Sequence, residues 1–227
     1  MKYIKSISLY TLVALCISSA LTGCYKLQED YNRTPKVIDP KIYKTTWDYI
    51  KSRGYGSATD TIFRRMYDAI IYSGIDTMEY IKTGRTFILM NNNSGRAVWA
   101  GTRTAANVVG KKWEDYPKAA VKAYLQYLIL DSVYDHYTIP ALTNVGAKTL
   151  APAGTFTATT PVGFIISATM FNPLSVMNIQ VLNSSPGNTS DYPIQLNDVL
   201  NVQTSSILAT NGSIHVINTF LSPTVPQ

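Results

Sequence analysis

The sequence predicts an α+β domain, with helices gathered in its first half and strands in its second. Three observations point there. Two stretches between residues 42 and 74, and another over 116–130, place apolar side chains at helical spacing. From Val133 onward charge almost vanishes, and Thr, Ser, Val, Ile and Gly dominate. Asn211-Gly212 stands between two β-prone runs, a hairpin signal of the kind that needs φ > 0. Helices followed by strands argue against alternating βαβ units. At 227 residues, 46% hydrophobic and 15% charged, the chain suffices for one domain with a real core. Its composition excludes collagen-like, low-complexity and disulfide-scaffold classes. Sixteen Tyr against six Phe, with so little charge, suggest a β-rich extracytoplasmic protein.

Residues 1–23 read as an export signal. Lys2 and Lys5 form a positive start, and Ile7 to Leu21 form an apolar run of signal length, too short for a membrane span. Leu21-Thr22-Gly23-Cys24 resembles a bacterial lipobox, in which cleavage exposes a Cys that is then diacylated. Cys16 is discarded and Cys24 becomes the lipid anchor, so the domain keeps no thiol for a disulfide, a nucleophile or a metal. Each buried acyl methylene contributes roughly 0.8 kcal/mol to membrane attachment. Loss of Lys2 and Lys5 lowers the formal charge from +6 to +4. No Asp follows Cys24, and the anchor is expected in the outer membrane, at the cell surface or the periplasmic face. Glu29-Asp30 is similar to the acidic export signals of Bacteroidetes surface lipoproteins, and equally to a solvated linker. Residues 24–41 form the acylated Cys and its tether, with two Pro.

The first helix carries Ile42, Tyr43, Trp47, Tyr49 and Ile50 and stops at Gly54-Tyr55-Gly56. The second starts near Thr59 or Asp60, presents Ile62, Phe63, Met66, Ala69 and Ile70 on one face, and ends at Gly74. Arg64, Arg65 and Asp68 take the opposite, solvated face. Arg85 to Met90 is an apolar strand running into the polar turn Asn91–Gly95. Residues 96–113 hold short helices and a loop. Asp115-Tyr116-Pro117 opens a third helix, buried along Val121, Tyr124, Leu125 and Leu128. Strands are expected within 155–160, 163–171, 174–182, 199–205 and 213–220.

The stretch Ile207 to Asn218, with Leu221-Ser222-Pro223, resembles the closing motif of fasciclin domains. That motif is a polar hairpin with Asn-Gly, an apolar-His-Val-Ile-Asp strand, then Leu and Pro. Asn211, Gly212, His215 and Pro223 are the matching positions, and Asn218 stands where Asp is usual. Residues 42–82 are similar to the family's paired opening helices. Residues 85–94 are similar to its Thr-Phe-Ala-Pro-Thr-Asn strand and turn, with Met90 in place of Pro. The helix over 116–130 corresponds to one leading into a Tyr-His pair, here Tyr127-Leu128, so the integrin-binding role of some animal members is not carried over. The resemblance covers residues 42–223 and leaves 224–227 as a tail. It implies a β-wedge or sandwich of about six to seven strands packed with N-terminal and central helices. It further implies insertions around 96–113 and 144–160, and a role in adhesion or interaction, not catalysis. With the lipobox, it implies a fasciclin-like lipoprotein of the Bacteroidetes type.

His215 falls inside the closing strand, where a hydrogen-bonded structural role is expected. Asp131, Asp135 and His136 are the only residues that suggest a cation, and no metal or cofactor site is expected. Nucleophile elbows, phosphate loops and zinc-protease motifs are missing from the sequence, so no catalytic residue is assigned. Basic residues are scattered and the signal exports the chain, which excludes nucleic acid. Expected partners are the bilayer, through acylated Cys24, and an extracellular protein or glycan. Trp99, Trp113 and Tyr116 are the candidate ligand-contact aromatics. Asp60-Thr61-Ile62, Asp76-Thr77-Met78 and Asp131-Ser132-Val133 match a short O-glycosylation acceptor pattern and serve equally as helix caps. The leading reading is an adhesion or interaction module. The alternatives are a polysaccharide-binding accessory beside an outer-membrane transporter, and a hydrolase without a familiar motif.

Overall fold

The computed structural model describes residues 39, 41–140, 143–157, 162–166, 171–182 and 193–224. The chain divides into Met1–Asp39 and Pro40–Gln227, and the fold is that of the second unit. The export signal, Cys24 and residues 225–227 of the tail lie outside the described residues.

Helix α1 (Thr46–Gly54) starts where Thr45 accepts a hydrogen bond from the Asp48 amide, with Asp48 in the first turn and Lys51 and Arg53 in the last. Ile50 points into the core, and Trp47 stacks on Tyr67 at 5.5 Å. Helix α2 (Arg64–Ser73) buries Met66, Ala69, Ile70 and Ser73 at i, i+3, i+4 and i+7. It begins later than the expected Thr59 or Asp60. The Asp60 carboxylate takes Arg53 Nε at 2.8 Å instead of capping a first turn. Its end at Gly74, φ 64°, is as expected. A short 3₁₀ turn, Thr77–Tyr80, follows, capped by Asp76, which accepts from the Met78 amide.

Strand β1 (Arg85–Met90) is buried from Thr86 to Met90. The Asn run after it is not a turn. The Asn91 side chain accepts from the amides of Asn93 and Ser94 and so opens helix α3 (Asn92–Gly101). Strand β2 (Thr102–Arg103), the 3₁₀ turn Trp113–Asp115 and helix α4 (Lys118–Tyr127) come next, the last entered through Pro117. Val121, Tyr124, Leu125 and Leu128 are all fully buried, as their spacing predicts.

The remaining strands are β3 (Ile129–Leu130), β4 (Val145–Lys148), β5 (Ile165–Ile166), β6 (Val176–Val181), β7 (Ile194–Leu196), β8 (Leu200–Asn201), β9 (Thr204–Ala209) and β10 (Gly212–Ile217). Among the described residues there are ten strands, six of them of three or more residues, which is broadly consistent with the expected six to seven. β2, β3, β4 and β7 were not expected; β3 lies where the helix over 116–130 was expected to run on, and that helix ends at Tyr127. The strand expected over 155–160 is reduced, where described, to a bridge between Phe156 and Asn172. One sheet has the order β3-β1-β10-β9, another β4-β6-β7-β8, and β2 pairs with β5. The class is therefore α+β. In the first sheet the earliest full strand and the last run parallel, from Arg85 opposite Gly212 to Met90 opposite Ile217. The sheets meet where Leu130 bridges Thr149. They meet again where the Val202 amide bonds Ile194 O at 2.9 Å and the Gln203 amide bonds Val216 O at 2.8 Å. Phe87, Leu125, Met177, Leu196 and Ile214 belong to one buried cluster spanning both sheets and the helices.

The closing motif explains this arrangement. The hairpin turns through Thr210 and Asn211, neither of which takes positive φ. Gly212 does take positive φ, 157°, as its turn signal suggests, and it is needed for a second reason. A Cβ there would lie 2.0 Å from the Arg85 carbonyl oxygen, so only Gly lets β10 approach β1. Asn211 is buried. Its Oδ1 accepts from Thr46 N at 2.8 Å and Thr46 Oγ1 at 3.2 Å, and its Nδ2 donates to Tyr80 O at 3.0 Å and Lys82 O at 3.2 Å. After β10 three successive carbonyls each receive a side-chain donor. Tyr124 Oη donates to Leu221 O at 3.0 Å, Asn197 Nδ2 to Ser222 O at 2.7 Å and Asn172 Nδ2 to Pro223 O at 2.9 Å.

His215 is fully buried and structural, as expected. Its ring bridges a loop and β9: Nε2 meets Tyr134 O at 2.8 Å, and Nδ1 accepts the Ser206 amide at 3.1 Å. That pattern assigns the proton to Nε2. Ser206, at φ 54°, is in the irregular stretch of β9 where the register to β10 shifts. Burial pushes the imidazole down to about 4.

Two outcomes follow from these contacts. Asn211→Ala orphans two carbonyls and the α1 amide and is expected to cost about 2–4 kcal/mol, read as a lower urea midpoint. His215 stays neutral when folded, while an unfolded His takes a proton near pH 6.5. Its contribution is complete above that pH and is lost as pH falls toward 4, by about 3 kcal/mol. Denaturation of wild type and His215→Asn at pH 7.0 and 4.5 checks it; a wild-type decline no steeper than the variant's contradicts it.

Candidate ligand groove

Three elements enclose a groove of about 280 Å³: α2 contributes Arg65, Asp68, Ile71 and Tyr72, α3 contributes Trp99, and the 3₁₀ turn region contributes Lys112, Trp113 and Glu114. Arg65 follows Arg64 by one residue, about 100° around the helix, so the two cannot share a face. Arg64 lies 4.7 Å from the Tyr55 ring on the outer side. Arg65 turns toward α3. Its backbone amide donates to Asn92 Oδ1 at 3.1 Å, and its Nη1 donates to Asn92 O at 3.2 Å. Asn92 Nδ2 in turn donates to Thr61 O at 2.7 Å. Gly95 gives the arginine stem its path: a Cβ there would meet Arg65 Cβ and Cδ at 3.0 Å. The guanidinium ends over the Trp99 ring, 5.4 Å from its centroid. Burial, and then neighbouring Arg96, hold it below the usual arginine range.

The three candidate aromatics are brought together, in unequal roles. Trp99 is half-buried, and its ring meets Trp113 edge-on at 5.4 Å. Trp113 is 3% exposed and donates Nε1–H to Arg65 O at 2.9 Å. Tyr116 is 1% exposed and does not reach the surface, which corrects its expected place among contact residues. Its hydroxyl accepts from Thr102 Oγ1 at 2.8 Å and Gly110 N at 3.2 Å and donates to Trp99 O at 3.3 Å. Tyr72 Oη reaches the Tyr116 carbonyl at 2.6 Å, which links the groove wall to this hub. Arg65 was missed because a basic pair on a helix reads as a solvated face. The one available signal was the 100° offset between Arg64 and Arg65.

Asp131, Asp135 and His136 do not converge. Asp131 lies 4.0 Å from Lys148 Nζ, Asp135 accepts the amides of Tyr137 and Thr138, and His136 Nδ1 sits 2.7 Å from Ser206 Oγ. Among the described residues no group of three His, Cys, Asp or Glu is placed to hold a metal ion. A second depression, about 350 Å³ and lined by Tyr43, Val133 and Leu208 among others, runs beside β9. No helix among the described residues is long and apolar enough to cross a membrane.

No protein-family model matches the chain, and a search of curated proteins finds no relative. Among solved structures it is similar to a FAS1 domain pair from the insect cell adhesion molecule fasciclin I. The identity is 16% and the TM-score 0.46, covering 73% of this chain and 46% of that one. The chain thus spans less than half the length of that pair.

Tyr116→Phe keeps the ring packed against Phe164 but leaves the Gly110 amide without its acceptor, while the Thr102 hydroxyl keeps the Val98 carbonyl. It is expected to lower stability by about 1–3 kcal/mol in urea denaturation; an unchanged midpoint contradicts the hub.

Proposed function

We propose that the protein is a membrane-anchored, extracytoplasmic, fasciclin-like lipoprotein whose domain makes contacts in adhesion or in protein and glycan binding, and does not catalyse a reaction. The observation that carries this reading is the closing motif. Its Asn, Gly, His and Pro are the positions of the resemblance, and each has a specific mechanical task in this fold. Asn211 ties the hairpin to α1, Gly212 admits β10 against β1, His215 holds the irregular strand, and the Pro223 carbonyl fastens the C-terminal segment. The wall presented by Trp99 supplies a contact surface of mixed aromatic and charged character. The lipobox ending in Cys24 supports attachment to the outer membrane, at the surface or the periplasmic face.

Cys24→Ala is expected to move the protein from the membrane to the soluble fraction; undiminished retention contradicts the anchor. For the domain, the purified full chain is applied to an array of extracellular glycans and matrix proteins beside its Trp99→Ala variant. Retention on a subset that the variant loses supports the reading. Cleavage of an arrayed substrate overturns it in favour of an enzyme.

A further inference from the structure

Resting on that reading, we propose that the groove between α2 and α3 takes an anionic polysaccharide, with Arg65 receiving a sugar's acidic group beside Trp99. The first reason is a cation with no ion-pair partner. Arg65 is only partly solvated, and among the described residues no carboxylate comes within 4.0 Å of its nitrogens. Its neighbour Asp68 is engaged by the Tyr55 hydroxyl at 2.7 Å. Asp68 also lines the groove, and its charge favours the Arg65 cation without pairing with it, which leaves the rest of the guanidinium fork open to an anion. A carboxylate or sulfate fits a guanidinium fork in two parallel hydrogen bonds.

The second reason is preorganisation. Arg65 is fixed at its amide, its carbonyl and its Nη1, and Gly95 holds the stem flat against α3. Little side-chain freedom is left to lose on binding. Third, Trp99 Nε1 is a donor-only group, buried in the groove wall without an acceptor among the described residues. An oxygen-rich ligand supplies one after a small tilt of the ring. Glu114 on the rim accepts sugar hydroxyls, and Lys112 adds a cation. At about 280 Å³ the groove is near the small end of the ~300–1,000 Å³ typical of ligand sites, which suits one or two residues of a chain passing through. An acidic peptide would use the cations but not the aromatic wall.

The test uses the purified full chain in detergent at low and moderate salt, with four probes: polygalacturonate, a sulfated polysaccharide, neutral dextran and polyglutamate. Wild type is expected to bind one or both acidic polysaccharides, more weakly as salt rises, and polyglutamate and dextran far less. Binding confined to polygalacturonate assigns a carboxylate, and binding confined to the sulfated chain assigns a sulfate. Arg65→Gln is expected to weaken binding about tenfold or more. Gly95→Ala leaves every charge in place, displaces the stem, and is expected to weaken it as well; matching melting curves confirm that both variants fold. Equal binding of polyglutamate overturns the proposal in favour of acidic protein. Dextran binding that Arg65→Gln leaves intact, or array binding with no acidic polysaccharide retained, overturns it while sparing the contact function.

Discussion

One buried carboxamide holds the fold together. Asn211 uses both acceptor positions of its oxygen and both hydrogens of its nitrogen, so its hydrogen-bonding capacity is full. Its partners come from the start of α1 and from the exit of the 3₁₀ turn, 129 to 165 residues away in sequence. A hydrophobic contact between these segments could slide, but four directed bonds cannot. The position of the hairpin is thereby set against the opening helices, and Gly212, the next residue, brings β10 onto β1. The parallel register from Arg85 to Met90 and the buried runs of both strands then follow, since a pair covered on both faces is mostly apolar, with its buried polar members such as Thr86 and His215 hydrogen-bonded.

The excess of tyrosine finds its explanation in the interior. Tyr116, Tyr124 and Tyr127 are buried with their hydroxyls engaged, and half-buried Tyr72 adds a fourth tie. Phe would fill the same space and tie nothing. Burial pushes the Tyr124 and Tyr127 hydroxyls above their ordinary range, which keeps them protonated as donors. Loops that lack ladder partners are held this way: the C-terminal carbonyls from Leu221 to Pro223 receive one Tyr and two Asn donors in succession. Of the fully buried tyrosines, Tyr116 and Tyr124 thus direct their polar tips to backbone and Tyr127 to Asn197, while the Tyr80 hydroxyl has no hydrogen-bond partner among the described residues.

What the sequence displayed and what it concealed divide by range of interaction. The buried stripe of α4, the end of α2 at Gly74, β1 and β10 were legible because periodicity and turn chemistry are local. Asn91 was misread since an Asn run suits a turn and a helix cap equally, and only the free amides of Asn93 and Ser94 decide between them. β7 has three residues and depends on its neighbours in the sheet, so its own pattern is too short to declare it. The Asn-Gly pair was legible as a hairpin with a positive-φ Gly, but its second reason was not, because the carbonyl that excludes a Cβ lies on a strand 127 residues earlier. In the groove, Trp99 and Trp113 stood out by type, whereas the inward turn of Tyr116 and the path of Arg65 over Gly95 exist only after α2 and α3 meet.

That meeting also explains why a cation persists in a half-buried place. Removing a guanidinium from water is costly, and helices do not ordinarily place one where no acid answers it. Here the structural contacts of residue 65 are made largely by its backbone: Asn92 needs the amide and Trp113 needs the carbonyl. Any residue at that position would supply both. The side chain is therefore not required for the junction that holds it, and its one bond to the Asn92 carbonyl occupies only part of the guanidinium fork. A scaffold that fixes the backbone independently of the side chain leaves the remaining donors of the arginine for what enters the groove.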